Sequence, residues 1–174
     1  GKPLPGVEVR IADDKEIVVH GPNVSPGYWK NPEATAAVFK DGWYYTGDLG
    51  YMDAQRHLYL KGRKKNLIVL ANGLNVYPED IENILHANAL VKEAVVLGLM
   101  EQDQEPEVHA ILLMDKPDQA KAAIQQANKQ LASHQQIRSF TVWPDTDLPR
   151  THTLKVKRQD VLNRLPEIRA KARH

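Results

Sequence analysis

Apolar and polar positions alternate with a period of two in the early part of the chain and move to spacings of three and four further along. Val7-Glu8-Val9-Arg10-Ile11 alternates as a half-buried strand should, and Ile17-Val18-Val19 follows the Ala12–Lys15 turn as a second strand. Prolines 22, 26 and 32 and glycines 21 and 27 mark the next stretch as loop. Asn31-Pro32-Glu33 opens a short helix reaching Phe39, with proline in its first turn and an acid near the positive end of the dipole. Trp43-Tyr44-Tyr45 and His57-Leu58-Tyr59-Leu60 predict a pair of strands.

Beyond Arg63-Lys64-Lys65 the pattern changes. Leu67 to Leu70 is a strand-like run that stops at the Asn72-Gly73 turn, and Pro78-Glu79-Asp80 starts a helix with Ile81, Ile84 and Leu85 on one face. Ala94–Leu97 and Val108–Leu113 predict buried strands, and Ile137–Trp143 alternates as another. A long helix is expected from about Asp118 to Ser133, and a final amphipathic one from Asp160 to about Ala170. The fold class is therefore α+β: a strand-rich segment, then a small domain with helices packed on a short sheet. The boundary is placed near Lys61 to Lys65, giving domains 1–61 and 62–174.

Composition narrows the functional classes. The chain has 174 residues, 42% hydrophobic and 26% charged, with Lys+Arg 23 against Asp+Glu 22 and a net charge of +1. Such a balance gives no reason to expect nucleic acid or an anionic membrane as partner. The absence of cysteine removes disulfides, thiolate nucleophiles and cysteine-based zinc sites, and fits a reducing compartment. No apolar run approaches the roughly 20 residues of a membrane-spanning helix. The expected location is cytoplasmic, with peripheral membrane association left open. Gly1-Lys2-Pro3-Leu4-Pro5-Gly6 reads as a loop cut open, so a fragment of a longer protein is expected.

Three polar islands carry candidate chemistry. In Tyr45-Thr46-Gly47-Asp48-Leu49-Gly50, an aspartate between two glycines at a strand end is placed to accept hydrogen bonds from vicinal hydroxyls such as a ribose. The same spacing also suits a plain turn in which Asp48 caps its own backbone. Lys61-Gly62-Arg63-Lys64-Lys65-Asn66 sets three consecutive cations at the junction, where Arg63 offers a forked donor to phosphate; a solvated charge run reads identically. Pro149-Arg150-Thr151-His152-Thr153-Leu154-Lys155-Val156-Lys157-Arg158 presents Lys155 as a point cation for a polyphosphate, or serves as a basic surface before the last helix. Each island alone leaves both readings open.

Taken in order, the islands resemble the adenylate-forming superfamily of acyl-CoA synthetases, luciferases and peptide-synthetase adenylation domains. Gly27-Tyr28-Trp29-Lys30-Asn31-Pro32-Glu33-Ala34-Thr35 is similar to its Gly-Tyr-x-x-x-Pro-x-x-Thr stretch, and Tyr44-Tyr45-Thr46-Gly47-Asp48 to its Tyr-x-Thr-Gly-Asp motif. Gly62-Arg63-Lys64-Lys65-Asn66 and Gly73-Leu74-Asn75-Val76-Tyr77-Pro78-Glu79 resemble the hinge motif and the loop and helix after it. Pro149-Arg150-Thr151 through Lys155 resembles the C-terminal lysine motif, and Arg-Lys-Lys with Asn-Val-Tyr-Pro lies closest to long- and medium-chain fatty acyl-CoA synthetases.

The resemblance implies that segment 1–61 is the β-rich end of a large adenylation domain and 62–174 a small mobile C-terminal domain. It implies a ligase that joins a fatty acid or other carboxylate to ATP, releasing pyrophosphate, and then passes the acyl group from AMP to CoA. By motif, Asp48 would accept the ribose hydroxyls, Arg63 would lie by the ribose and phosphate of AMP, and Lys65 would be the hinge. Gly73 would face the pantetheine tunnel, and Lys155 would neutralise charge between carboxylate and α-phosphate. Leu154 stands where the family usually has glycine and His152 where proline is common, so Lys157 remains a rival to Lys155. Lysine at the hinge replaces the aspartate of many relatives. No phosphate loop and no Tyr-Gly-x-Thr-Glu segment is present, so the Mg site and most of the acyl pocket are expected in a missing N-terminal domain. These residues alone are then expected to be inactive, with the first sixty poorly packed. A carrier-protein-loading adenylation domain, or a non-catalytic docking module, is the alternative.

Overall fold

The structure, a computed structural model, describes residues 1–100 and 106–171. It divides into two compact units, Gly1–Leu67 and Ile68–His174.

The first unit is an antiparallel sheet of β1 (Glu8–Ile11), β2 (Glu16–His20), β3 (Phe39–Lys40), β4 (Trp43–Met52) and β5 (Leu58–Arg63), with the short helix α1 (Pro32–Val38) ahead of β3. Strand β4 is central. Tyr44 pairs with Val19 of β2 and with Phe39 of β3, while Leu49 pairs with Glu16 of β2 and Gly62 of β5. Strands β3 and β5 therefore share one edge of β4, and β2 holds the other. Trp43–Tyr45 and His57–Leu60 were expected to pair; instead the partner of β5 is the later half of β4, from Asp48 to Met52. The reason is the length of β4, which runs straight through the Thr46-Gly47-Asp48 island expected at a strand end.

That passage requires a bulge. Between the pairs Glu16↔Leu49 and Val18↔Tyr45, β4 spends two more residues than β2. Gly47 supplies the left-handed backbone, at φ +71°. The displaced groups are satisfied by side chains: Thr46 Oγ1 donates to the Ile17 carbonyl at 2.8 Å, and Gly47 N–H to Glu16 Oε1 at 2.8 Å. Gly50 is needed for a different reason, since a Cβ there would run into the Tyr59 carbonyl and the Ile17 side chain. Ile17, Val18 and Leu49 are the buried apolar side chains described in this unit, while Trp29 and Leu60 stay 88% and 70% exposed.

The second unit is built on β8 (Glu93–Leu99), β9 (Glu107–Leu113) and β10 (Ser139–Val142), in the order β10-β9-β8. A hairpin of β6 (Ile68–Val69) and β7 (Asn75–Val76) precedes it. The β8–β9 pair is antiparallel and the β9–β10 pair parallel, the latter reached through α3 (Ala120–Asn128). Alternation splits the strands between two cores. Ala94, Val96, Val108, Ala110 and Leu112 join Ile81 and Leu85 of α2 (Pro78–His86) and Ala123, Ile124 and Ala127 of α3. Val95, Ile111 and Leu113 face the other way, onto Trp143, Leu148 and Val161 and Leu165 of α4 (Arg158–Lys171). The unit is thus three layers around one short sheet, as the α+β pattern requires.

Helix α3 is shorter than the expected Asp118–Ser133 span. Pro117–Gln119 forms a 3-10 turn, and the helix gives out at Asn128, whose amide bonds Ile137 N–H at 2.8 Å and Ile137 C=O at 3.0 Å. The asparagine side chain thereby ties the end of α3 to the segment leading into β10. His109, inside an apolar run, is fully buried because Ser139 and Thr141 of β10 flank its ring at 2.6 and 3.1 Å.

Strand β8 is an edge strand, and its outward backbone is closed by side chains. Val96 N–H donates to Glu82 Oε1 at 2.7 Å and Val96 C=O accepts from Arg158 Nη1 at 2.9 Å. Arg158 Nη2 meets both Glu82 oxygens at 2.5 and 2.6 Å, so α2, β8 and α4 are joined at one point. Burial pushes the Glu82 carboxyl upward against the pull of the guanidinium. Replacing Glu82 with leucine leaves Arg158 Nη2 and Val96 N–H without their acceptor and is expected to cost on the order of 3 kcal/mol. Glu82→Gln keeps the acceptor for Val96 N–H and is expected to cost clearly less; urea denaturation of the two variants checks the order.

Candidate functional site

The candidate residues fall in both units, and each group is described in its own frame. In the first unit the β4–β5 register sets Asp48 directly opposite Arg63. Their side chains meet, with Arg63 Nη1 donating to Asp48 Oδ1 at 2.6 Å and reaching the Thr46 carbonyl at 3.4 Å. The bulge aims this pair: Asp48 N–H donates to Thr46 Oγ1 at 3.1 Å, which fixes the backbone that carries the carboxylate. Both side chains keep partial exposure, 34% for Asp48 and 49% for Arg63. A carboxylate oriented by a guanidinium and still open to solvent is a fit acceptor for two adjacent hydroxyls.

Next to this pair lies an open cleft of about 490 Å³, walled by Tyr28, Tyr44, Tyr45, Thr46, Gly47 and Arg63, among others. The Tyr28–Tyr44 hydrogen bond, in the sense that favours the neutral phenol, together with burial raises the Tyr44 phenol above its ordinary range. Lys64, the middle cation of the run, is tied down. Its ammonium bonds Asp14 Oδ2 at 2.6 Å and Glu16 Oε2 at 2.9 Å, which holds the lysine protonated and lowers the Asp14 carboxyl. Lys65 sits in the 3-10 turn Lys64–Asn66 that follows β5. The basic run is therefore not uniform. Arg63 serves the carboxylate, Lys64 secures the turn between β1 and β2, and Lys65 occupies the segment at the end of the unit.

In the second unit Gly73 closes the β6–β7 hairpin with φ +77°, and an added Cβ there would meet open space. Its N–H donates to the Leu70 carbonyl at 2.8 Å, and Asn72 Oδ1 accepts from Leu74 N–H at 3.1 Å. Beside it is a cleft of about 430 Å³ whose walls include Leu70, Asn72, His134 and Arg138.

Lys155 belongs to a tight hairpin ahead of α4. Trp143 and Leu148, each 3% exposed, bury the base of the preceding loop, and Trp143 Nε1 donates to the Asp147 carbonyl at 3.0 Å. The hairpin closes through the Arg150↔Val156 bridge and the Thr151 N–H bond to the Lys155 carbonyl at 2.8 Å. Leu154 takes the left-handed conformation at φ +63°, the backbone that glycine adopts without penalty at this position of a three-residue hairpin loop. For a leucine it costs on the order of 1 kcal/mol, and the side chain, 74% exposed, recovers little by packing. Lys155 is exposed, and among the described residues no ion pair to its ammonium is found. Lys157 differs: its ammonium lies 3.5 Å from Asp160 in the first turn of α4.

Sequence reasoning missed the groups that hold this hairpin. Arg150 was visible only as part of a motif, and nothing in the local pattern indicates its partner Glu93, 57 positions away. Glu82 and Arg158 are separated by 76 positions and carry no local signal either.

Comparison with known proteins places the geometry in a family. Residues 65–169 match the family model described as the AMP-binding enzyme C-terminal domain. The chain is 38% identical to the long-chain-fatty-acid–CoA ligase FadD15 of Mycobacterium tuberculosis, over 92% of this chain and 31% of that one. It is 36% identical to the indoleacetate–CoA ligase of Aromatoleum aromaticum, over 90% of this chain and 30% of that one. Among solved structures, o-succinylbenzoate CoA synthetase from Bacillus subtilis with its acyl-adenylate superposes with a TM-score of 0.83 at 34% identity, covering 92% of this chain and 34% of that one. The chain spans about a third of the length of these relatives. With 105 of its residues inside the family model, counted from 65 to 169, the chain belongs to the AMP-binding enzyme C-terminal domain family.

Proposed function

We propose that this chain is the C-terminal part of an ATP-dependent fatty acid–CoA ligase, with Lys155 as the lysine that acts in adenylate formation. The observation that carries the reading is the hairpin: a left-handed Leu154 projects an ammonium with no ion-pair partner among the described residues, inside the segment matched to the family. Segment 1–61 then serves as the end of a larger adenylation domain, 62–174 as the small mobile domain, and Lys65 as the hinge. The exposed Trp29 and Leu60 of the first unit are in keeping with a neighbour that the chain itself does not supply.

The chemistry asked of these residues is positional and electrostatic. A carboxylate and an α-phosphate repel as they approach, and a cation held between them lowers the barrier without taking part in bond making. Among the described residues Lys155 has no ion pair to give up for that task, whereas Lys157 already has Asp160. Asp48 offers its carboxylate to the ribose 2′- and 3′-hydroxyls while Arg63 steadies it and brings positive charge to the phosphate side. Gly73 gives the hairpin a backbone without side-chain bulk where a pantetheine arm would pass. Among the described residues no group of three or more His, Asp or Glu side chains is placed to hold a metal ion, and the reading assigns Mg to the part of the enzyme outside this chain. The fatty-acid part of the reading follows the Arg-Lys-Lys and Asn-Val-Tyr-Pro motifs, since ligases for fatty and aryl acids match at similar identity, and a panel of palmitate, indoleacetate and o-succinylbenzoate tests it in the longer protein.

Two outcomes check the residue roles there. Lys155→Ala should lower carboxylate-dependent ATP–pyrophosphate exchange by about 10²- to 10³-fold and spare thioester formation from supplied acyl-adenylate, while Lys157→Ala leaves both within about threefold. Equal loss of both half-reactions in Lys155→Ala would show the assignment to be wrong. Asp48→Ala should raise the KM for ATP about tenfold or more and abolish discrimination between ATP and 2′-deoxy-ATP; retained discrimination would remove Asp48 from the ribose.

A further inference from the structure

Arg150 occupies the stem of the Lys155 hairpin and reaches three separate partners. Its Nε bonds both oxygens of Asp147 at 3.0 Å, and Nη2 adds a third contact to Asp147 Oδ1 at 2.8 Å. Nη2 also forms a short ion pair with Glu93 Oε2, the first residue of β8. Nη1 donates to the Leu154 carbonyl at 3.0 Å. The Arg150 side chain is 26% exposed and that of Glu93 22%, so this is a half-buried pair rather than a surface one.

The Leu154 carbonyl is the informative partner. It shares a rigid peptide plane with Lys155 N–H, so the orientation of that plane sets the direction in which the Lys155 side chain leaves the backbone. The plane is held on both sides: Arg150 Nη1 fixes the oxygen, and Thr151 Oγ1 accepts from Lys155 N–H at 3.2 Å. Glycine in this position would leave a looser plane. Here a leucine is kept in a backbone region it disfavours, and Arg150 supplies the bonds that hold it there. The other arm of the clamp runs to β8, so the plane is referenced to the sheet and not only to its own loop.

We propose that Arg150 is a positioning residue for Lys155, orienting the Leu154–Lys155 peptide against β8 through Glu93 while making no contact with substrate itself. The proposal rests on the assignment of Lys155 above. Lysine cannot replace the arginine, because a single ammonium cannot serve Glu93, Asp147 and a carbonyl in the one plane of a guanidinium.

The test uses the longer enzyme that carries this chain and follows the two half-reactions separately. Arg150→Lys is expected to reduce the kcat of ATP–pyrophosphate exchange by about 10- to 100-fold with the KM values for ATP and carboxylate unchanged, and to leave thioester formation from supplied acyl-adenylate within about threefold. Thr151→Val releases the other side of the same plane with little change of shape and is expected to lower exchange alone by about three- to tenfold. If Arg150→Lys lowers the yield of folded protein, Thr151→Val decides. Unchanged exchange in both variants, with Lys155→Ala inactive, overturns the positioning role while leaving the function of Lys155 intact. Loss of both half-reactions to the same extent overturns it as well, since that marks a general structural support. Full exchange in Lys155→Ala would instead bring down the reading beneath the proposal.

Discussion

The outer edge of β8 is the constraint on which the second unit depends. A strand at the margin of a three-stranded sheet presents N–H and C=O groups that must find partners once helices cover both faces. Here Glu82 and Arg158 provide them at Val96, and Glu93 at the start of the same strand receives Arg150. Burying the Glu82–Arg158 pair costs solvation, and the geometry compensates with two guanidinium contacts and one backbone N–H on the carboxylate, and a backbone carbonyl on the guanidinium. The two arginines bracket the hairpin that bears Lys155. One strand edge therefore closes the sheet, ties α2 to α4 and holds both ends of the loop proposed to act in adenylate formation.

The first unit solves a similar problem in a different way. Strand β4 has to serve β2 along one edge and both β3 and β5 along the other, and the registers do not match in length. The mismatch is absorbed in Thr46-Gly47, where a left-handed glycine, a threonine hydroxyl and the Glu16 carboxylate take up the surplus backbone. Asp48 comes out of that bulge facing Arg63, so the same irregularity that lets the sheet close also delivers the paired carboxylate.

Much of this was legible in the sequence, and the exceptions share a cause. Period-two alternation predicted β1 and β10, continuous apolar runs predicted β6, β8 and β9, and the spacing of Ile81, Ile84 and Leu85 predicted the inward face of α2, because local pattern alone marks those elements. The ordered motifs singled out Asp48, Arg63 and Lys155 as candidates, whose roles remain proposals. The bulge was not legible, since an aspartate between glycines suits a turn and a strand irregularity equally. The end of α3 was overrun, and its tie from Asn128 to Ile137 is a contact that no propensity contains. The parallel pairing of β10 with β9, the burial of His109 between Ser139 and Thr141, and the pairing of each arginine with its glutamate all join residues far apart in the chain.

The closed edge of β8 bears also on how the protein behaves among copies of itself. An uncovered sheet margin is a template on which another extended chain can add a strand, and the Val96 groups would be the ones offered. With a carboxylate and a guanidinium already bonded there, an incoming backbone would have to displace an ion pair before gaining any hydrogen bond. Glu82 and Arg158 thus also act as a guard against intermolecular β-pairing, and their loss would register as association that grows with protein concentration.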